Sequence, residues 1–188
     1  MVRNLEEIGF LREEMVDVCL IADHNLYTYN DTAKKTLRKW GITFDTVPYE
    51  LNRTEILGRD LSDSIMCLYG YYPLMTTAGC VHRNAAGCDK KPTLHFLSDR
   101  YHAQFPVQND CNECMNTIYN SLPTMLFSAR KELMAQGLDH FLLCVHIESE
   151  EEIRKICDVY EAYLQGDGMP PKDCNMKFTN GHYKRGVL

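Results

Sequence analysis

Short apolar runs alternate with amphipathic stretches along this chain, and the pattern predicts four β-strands that are each followed by a helix. Continuous apolar runs of this length are typical of strands that are covered on both faces. The predicted strands are residues 16–22, 42–47, 64–68 and 141–147. The predicted helices are residues 28–40, 51–57, 123–136 and 150–165, after an opening helix at 4–14 that Asn4 can cap.

This alternation is typical of βα units around a parallel sheet, so the predicted fold class is α/β. Four βα units make half of an eight-stranded barrel, which predicts a partial (β/α) TIM-type barrel. Residues 69–121 interrupt the alternation as a cysteine-rich insert, in which 94–97 is strand-like and 73–77 is extended. A chain of 188 residues, 45% of them hydrophobic, suits one sizeable core, so we predict a single unit over 1–188.

Four cysteines of the insert have the spacing of a metal site. Cys80 and Cys88 form a C-x7-C pair, and after 22 further residues Cys111 and Cys114 form a C-x2-C pair. A C-x2-C turn places two soft thiolates side by side, and four such thiolates satisfy one tetrahedral metal or one iron–sulfur cube. The spacing alone favours zinc over iron–sulfur. The alternative is four ordinary buried cysteines, since cysteine commonly packs as a small apolar residue.

The other five cysteines fall into two groups. Cys19, Cys67, Cys144 and Cys157 lie in apolar runs, where we expect them to be core residues. Cys174 lies in a proline-marked loop and is a fifth candidate ligand. An odd number of cysteines, in a chain too large to need disulfide staples, favours a reducing compartment.

Charge and hydropathy argue against two kinds of partner. The net charge is −6 and the pI is about 5.6, so no global positive field attracts nucleic acid or an anionic membrane non-specifically. No run approaches the roughly 20 apolar residues that cross a bilayer. The first residues also lack the apolar core of a signal peptide. We therefore expect a cytoplasmic protein with no membrane partner.

Several phrases of the sequence resemble one known family. They are YGYYPLMTTAGC, LSDRYHAQFPV and CNECMNTIYNS around the cysteines, with IADHNLYTYN, VPYELNRTEIL and TNGHYKRGV elsewhere. Together they resemble the C-terminal barrel region of the collagenase-like peptidase family (peptidase family U-thirty-two). The resemblance implies the C-terminal half of a TIM-type barrel, with the N-terminal half missing from this sequence. It also implies a 4Fe–4S cluster on Cys80, Cys88, Cys111 and Cys114.

The resemblance also bears on activity. Better-defined relatives are iron–sulfur proteins of oxygen-independent hydroxylation that act on RNA bases or on a quinone precursor, so RNA or a small molecule is the implied substrate. The family's name implies a peptidase instead, although the sequence has no G-x-S-x-G or H-E-x-x-H motif. A zinc-stabilised interaction module is the non-enzymatic alternative. The fourth strand departs from the family by offering His146 and Glu148 where relatives often carry an arginine, which leaves the substrate open.

Three residues are candidates for catalytic roles. Asp99 and Arg100 belong to a family phrase, and the resemblance favours an Arg100 that holds an anionic substrate or screens a negative cluster. A salt bridge within a turn is the structural alternative. Glu50 follows the second strand, where barrels place functional loops, and is either a general acid/base or an acidic residue at a helix start. His24 and Asn25 occupy the equivalent place after the first strand.

The partial barrel predicts that the isolated chain associates with a partner. A half-barrel leaves two sheet edges and an uncovered inner face, and the runs at 16–22 and 141–147 are too apolar to face water. We expect self-association, or association with the missing N-terminal half. Light scattering on the 188-residue chain should show dimers or larger species. A monomer without an exposed apolar face would contradict the predicted architecture.

Overall fold

The computed structural model describes residues 1–14, 17–165 and 176–186, and these residues fold into two compact units. The first unit comprises the described residues of Met1–Leu68, Leu126–Leu143 and Asn180–Leu188. The second comprises those of Tyr69–Met125 and Cys144–Thr179, so it begins where the sequence predicts the cysteine-rich insert. The single domain predicted over 1–188 stays a prediction.

Helices and strands are mixed along the chain, which confirms the α/β class. The strands are β1 (Leu20–Ala22), β2 (Ile42–Thr46), β3 (Ser64–Gly70), β4 (Pro73–Thr77), β5 (Leu94–Ser98), β6 (Gln104–Asp110), β7 (Met115–Tyr119), β8 (Thr124–Met125) and β9 (His140–Cys144). The helices are α1 (Leu5–Glu13), α2 (Asp31–Lys39), α3 (Arg53–Leu57), α4 (Val81–Ala86), α5 (Arg130–Ala135) and α6 (Glu150–Gln165). Short 3-10 turns occupy His24–Leu26 and Phe127–Ala129.

Three strands of the first sheet lie parallel and in chain order. β1 pairs with β2 and β2 with β3, through registers such as Leu20 beside Ile42 and Asp45 beside Ser64. β9 also pairs with β3. This order, one strand after the next with helices between them, is that of βα units. The sheet is open within the described residues, and a TIM-type barrel is not shown.

Asparagine side chains set the starts of three helices. Asn4, Asn30 and Asn52 each accept a hydrogen bond from the N–H three residues further on. These bonds satisfy N–H groups that the first helical turn leaves without partners. Gly41 follows α2 with a φ of 92°, in the left-handed region that favours glycine, and ends that helix.

The apolar core of the first unit gathers residues of α1, α2 and the first two strands. Its buried members are Val2, Ile8, Leu20, Ala22, Leu37 and Ile42. Trp40, the single tryptophan of the chain, packs against this cluster. Its fluorescence therefore reports on the folding of the first unit.

A buried charge network also belongs to the first unit. Asp45 on β2 is 3% exposed and contacts two cations, Lys34 of α2 at 3.3 Å and Arg59, which follows α3. Thr28 and Ser64 donate hydrogen bonds to the same carboxylate, at 2.6 and 2.9 Å. Lys34 also donates to two backbone carbonyl oxygens. The three charges are thus paired and hydrogen-bonded, which is the condition for burying charge.

The second unit is built on an antiparallel sheet in the order β4-β7-β6-β5. β5 and β6 form one hairpin, and β6 and β7 form the next, in which Asn109 lies opposite Asn116. β8 pairs antiparallel with Tyr69 and Gly70, the last residues of β3. A Cβ on Gly70 would lie 2.9 Å from the Cβ and the carbonyl oxygen of Cys144, so this close backbone approach requires glycine.

Several predicted elements differ from the structure. The first strand is shorter than the predicted 16–22: β1 begins at Leu20. Residues 17–19 are exposed and belong to no strand, and residues 15 and 16 lie outside the described part. The predicted helix at 123–136 is wrong at its start. There, Thr124 and Met125 form β8 because they pair with β3, a contact distant in sequence. β9 ends at Cys144 instead of residue 147, and the sequence predicts neither α4 nor β7.

We predict that replacing Asp45 with asparagine strongly destabilises the first unit. The change leaves Lys34 and Arg59 buried without a counter-charge, which typically costs about 3–5 kcal/mol. Denaturant unfolding followed by Trp40 fluorescence measures the loss. Asp63→Asn is the matched control, because Asp63 pairs with Arg38 at an exposed position and such pairs contribute about 0–1 kcal/mol. Equal losses in the two variants would contradict a structural role for the network.

The same network predicts an acid-sensitive stability. Burial alone would raise the pKa of Asp45, but Arg59 and the hydrogen bonds from Thr28 and Arg59 hold that pKa below its ordinary value. A depressed carboxyl pKa contributes stability above the unfolded-state pKa of about 3.9, and that stability is lost as the pH falls through the folded-state value. Trp40-monitored unfolding between neutral and acid pH should therefore show a steeper acid loss in the native chain than in Asp45→Asn.

Candidate metal centre

The first cysteine pair brackets the short helix α4. Cys80 is its N-cap residue, and the Cys80 Sγ accepts a hydrogen bond from the N–H of Arg83 at 3.4 Å. Cys88 follows the helix directly after Gly87, whose φ of 87° turns the chain. The helix therefore holds the two cysteines at its opposite ends.

The second cysteine pair occupies the tight turn between β6 and β7. The side chain of Asp110 accepts hydrogen bonds from the N–H groups of Asn112 and Glu113, at 2.9 and 3.4 Å, which shapes the turn. Cys114 has a φ of 54°, a left-handed conformation that is uncommon outside glycine. Cys111 and Cys114 are therefore the first and last residues of a tight β-hairpin turn, which we call the knuckle.

All four cysteines line one cavity of about 660 Å³. Arg83, Lys90 and Asn109 are among the other side chains that line it. Partial desolvation raises the pKa of the Cys111 thiol, and the negative charges of Cys88, Asp89, Cys80 and Cys114 raise it further. Each of the other three thiols is thus close enough to oppose ionisation of Cys111. A bound cation would reverse this effect, because metal ligation requires and stabilises the thiolate.

The four thiols share the cavity without forming a closed ligand set. Within the described residues, no group of three or more His, Cys, Asp or Glu side chains has an arrangement that holds a metal ion. The sulfurs would therefore have to draw together around a metal, as in proteins where metal binding is coupled to local folding. Convergence on one centre stays a prediction. Cys174, the fifth candidate ligand, lies outside the described residues.

Two asparagines connect the two cysteine pairs. Asn109, two residues before Cys111, donates to the carbonyl oxygen of Lys91 at 3.2 Å and accepts from the N–H of Thr93. Asn116, two residues after Cys114, faces Asn109 across the hairpin and donates to the carbonyl oxygen of Gly79 at 3.5 Å. One asparagine therefore holds the segment after Cys88 and the other the segment before Cys80. Both are buried, at 4% and 1% exposure.

A pair of stacked histidines adjoins this site. The rings of His82 and His95 stack with centroids 4.8 Å apart. His82 lies 3.3 Å from the Asp89 carboxylate, and His95 shares a 2.7 Å hydrogen bond with the Thr93 hydroxyl. These contacts fix the loop that carries Cys88 against β5. Sequence reasoning missed both histidines and both asparagines, although His82 lies only two residues from Cys80.

Asp99 and Arg100 lie at the far end of the β5–β6 hairpin from the cysteines. β6 has seven residues between that turn and the knuckle, a separation of about 20 Å at 3.4 Å per residue. Asp99 accepts hydrogen bonds from the N–H groups of Tyr101 and Ala103, and the Arg100 guanidinium lies 4.8 Å from the Tyr101 ring centre. Asp99 thus shapes the turn. The structure does not bring this pair to the cysteine cavity.

Glu50, His24 and Asn25 belong to the first unit, in the segments that follow β2 and β1. One carboxylate oxygen of Glu50 and the side-chain oxygen of Asn25 are buried with no hydrogen-bond partner among the described residues. The His24 ring stacks on Tyr49 at 3.9 Å, and burial lowers the pKa of His24 despite the opposing charges of Asp23 and Glu50. Burial raises the pKa of Tyr29, and the charge of Glu50 raises it further. These residues form a polar cluster of the first unit.

Two of the four cysteines that we expect in the core are exposed in the structure. Cys67 is buried and Cys144 is half-buried, but Cys19 and Cys157 are exposed. Cys19 is exposed because it precedes β1 instead of lying inside a strand. Cys157 lies in α6 on a solvent-facing position. The expectation that Cys19 and Cys157 are core residues is therefore wrong.

Comparison with protein-family models, with curated proteins and with solved structures finds no match to this chain. The resemblance to the collagenase-like peptidase family therefore stays a prediction from the sequence phrases. In the part of the chain that the structure describes, no helix combines the length and apolar character needed to cross a membrane.

We predict that Cys111→Ser and Cys114→Ser abolish metal binding, because a serine hydroxyl replaces a thiolate in the knuckle. Removing a residue that only hydrogen-bonds to a metal ligand weakens metal affinity by up to about 100-fold, and removing a ligand itself should weaken it by more. Elemental analysis of purified protein measures bound metal, and limited proteolysis measures loosening of residues 77–115. Cys157→Ser, at an exposed cysteine of α6, should keep the metal. Equal metal loss in all three variants would mean that the cysteines have been assigned wrongly.

Proposed function

We propose that this protein holds a metal centre on Cys80, Cys88, Cys111 and Cys114, and that the centre is a 4Fe–4S cluster. The observation that carries the proposal is the shared cavity: two pairs of thiols, separated by 22 residues in the sequence, line one space. Four cysteines are the usual ligand set of such a cluster. The family resemblance favours iron–sulfur over zinc.

The residues around the cavity fit a thiolate-bound centre. Four thiolates bring a large negative charge, and Arg83 and Lys90 line the same space with positive charge. Asn109 donates a hydrogen bond to the Cys111 sulfur at 3.5 Å, within the range for sulfur acceptors. Hydrogen bonds to cluster sulfurs and nearby charge are the features by which proteins adjust such centres. The cluster would supply electron transfer.

The reaction class follows from the resemblance: oxygen-independent hydroxylation, with an RNA base or a small molecule as substrate. This chain would then supply the C-terminal half of a TIM-type barrel, and the parallel order β1-β2-β3 with β9 beside β3 supports that arrangement. Glu50 lies in the turn that follows β2, and one of its carboxylate oxygens is buried without a hydrogen-bond partner among the described residues, which supports a general acid/base role. Arg100, exposed on its turn, would contact an anionic substrate that extends beyond the cysteine cavity.

A zinc-stabilised interaction module is the second candidate, favoured by the knuckle on a β-hairpin. Structural zinc sites use closed sets of four cysteines and stabilise small domains directly. The sheet of the second unit carries exposed apolar side chains, including Leu74, Met75 and Phe96, that a protein partner could cover. Peptidase activity stays a prediction from the family's name, with no supporting arrangement among the described residues. Either metal would suit the reducing cytoplasm, where thiols stay available as ligands.

Metal analysis after anaerobic purification separates the candidates. A 4Fe–4S cluster predicts about four iron and four sulfide per chain and a brown protein with broad visible absorption. A structural site predicts about one zinc per chain and no colour. Cys111→Ser should lose either signal and Cys157→Ser should keep it. Protein that takes up neither metal under reducing conditions, with all thiols reduced, would overturn the metal-binding proposal.

A further inference from the structure

A second cavity of about 670 Å³ lies within the second unit, away from the four cysteines. Its volume is in the range of sites for small organic ligands. Leu94, Phe96, Leu122, Ile147 and Ile156 supply apolar walls. Leu94 and Phe96 are 40% and 56% exposed, so part of this apolar surface faces the open cavity and a ligand would cover it.

The polar end of this cavity is formed by two tyrosines and two carboxylates. Tyr69 and Tyr71 flank Gly70, and Glu148 and Glu152 face them from the segment that opens α6. Burial raises the pKa of both tyrosines, and the charge of Glu148 raises it further. The tyrosines therefore stay neutral, and the carboxylates carry the negative charge inside the cavity.

Tyr69 hydrogen-bonds with the Glu148 carboxylate, but one of its two oxygens has no hydrogen-bond partner among the described residues. The Glu148 Oε2 accepts from the N–H groups of His146 and Ile147, at 2.7 and 3.0 Å. The Glu148 Oε1 is buried, and among the described residues nothing donates a hydrogen bond to it. A buried carboxylate oxygen without a donor is costly, so a ligand that brings a charged donor would satisfy it.

The two lysines that line the cavity are exposed, and one of them forms an ion pair outside the cavity. The Lys155 ammonium is 2.8 Å from Glu151 and its side chain is 62% exposed, and Lys177 is also exposed. The N-terminus of α6 carries a partial charge of only about +0.5. Glu150, Glu151 and Glu152 in its first turn outweigh that charge. The inner end of the cavity therefore favours a cation.

We propose that this cavity binds an amphipathic organic cation: an ammonium group at Glu148, between the Tyr69 and Tyr71 side chains, on an apolar body that lies against Leu94 and Phe96. A desolvated ammonium near aromatic rings gains cation–π attraction in addition to its ion pair. Ion pairing and apolar contact act at opposite ends of the ligand, so both ends determine specificity. The proposal is independent of the metal centre.

Three probes with the same apolar body and different charge test the proposal by isothermal titration with the full chain. Phenethylammonium should bind, phenethyl alcohol should bind about tenfold more weakly or worse, and phenylacetate should not bind. Glu148→Gln keeps the acceptor for the backbone N–H groups and removes the charge, so it should weaken phenethylammonium binding about tenfold. Glu150→Gln is the matched control, because Glu150 is exposed, pairs with Arg154 and does not line the cavity.

Circular dichroism and thermal unfolding verify that each variant is folded. Glu152→Gln provides a second charge removal in the same cavity if Glu148→Gln unfolds. Equal binding of the ammonium and the alcohol would overturn the proposal, as would unchanged binding in a folded Glu148→Gln. Preferential binding of phenylacetate would assign the site to the lysines at the rim and also overturn it. If none of the three probes binds, the proposal is also overturned.

Discussion

The carboxylate of Asp45 is the point on which the first unit depends. It lies at 3% exposure on the central strand β2, and α2 and the segment after α3 each send one cation to it. Apolar burial drives the collapse of this unit but does not by itself distinguish one packing of the helices from another. The charge network does so, because a shift of either helix would leave a buried ion without its partner.

The second unit is stabilised differently, because few apolar side chains of its sheet are buried. Val107 and Tyr119 are buried, yet Leu74, Met75 and Phe96 are more than half exposed. Buried polar contacts hold the cysteine loops in place: Asn109 and Asn116 connect both loops to the β6–β7 hairpin. A metal on the four cysteines would add the cross-link that apolar packing does not provide, as in small metal-stabilised domains.

Local signals in the sequence predict several helices and the turn that carries Cys111 and Cys114. The Asn4 cap of α1 is a short-range feature, and the helix predicted at 150–165 has its observed bounds. The C-x2-C turn is equally local. The structure differs where distant contacts decide: β8 forms because Thr124 and Met125 pair with β3, and β7 because it pairs with β6 and β4. The roles of Asn109 and Asn116 depend on their cross-strand register, which no single stretch of sequence reveals.

One structural element serves both proposed sites of the second unit. β6 contributes Asn109 and Asp110 to the cysteine cavity, while Pro106 of the same strand and Leu94 and Phe96 of its hairpin partner line the second cavity. A metal that binds only the formed cysteine loop stabilises the hairpin, and so does a cation that binds only the formed cavity. Two ligands that favour the same folded element increase each other's affinity by equal factors. The β5–β6 hairpin is therefore the structural element that the two proposed sites have in common.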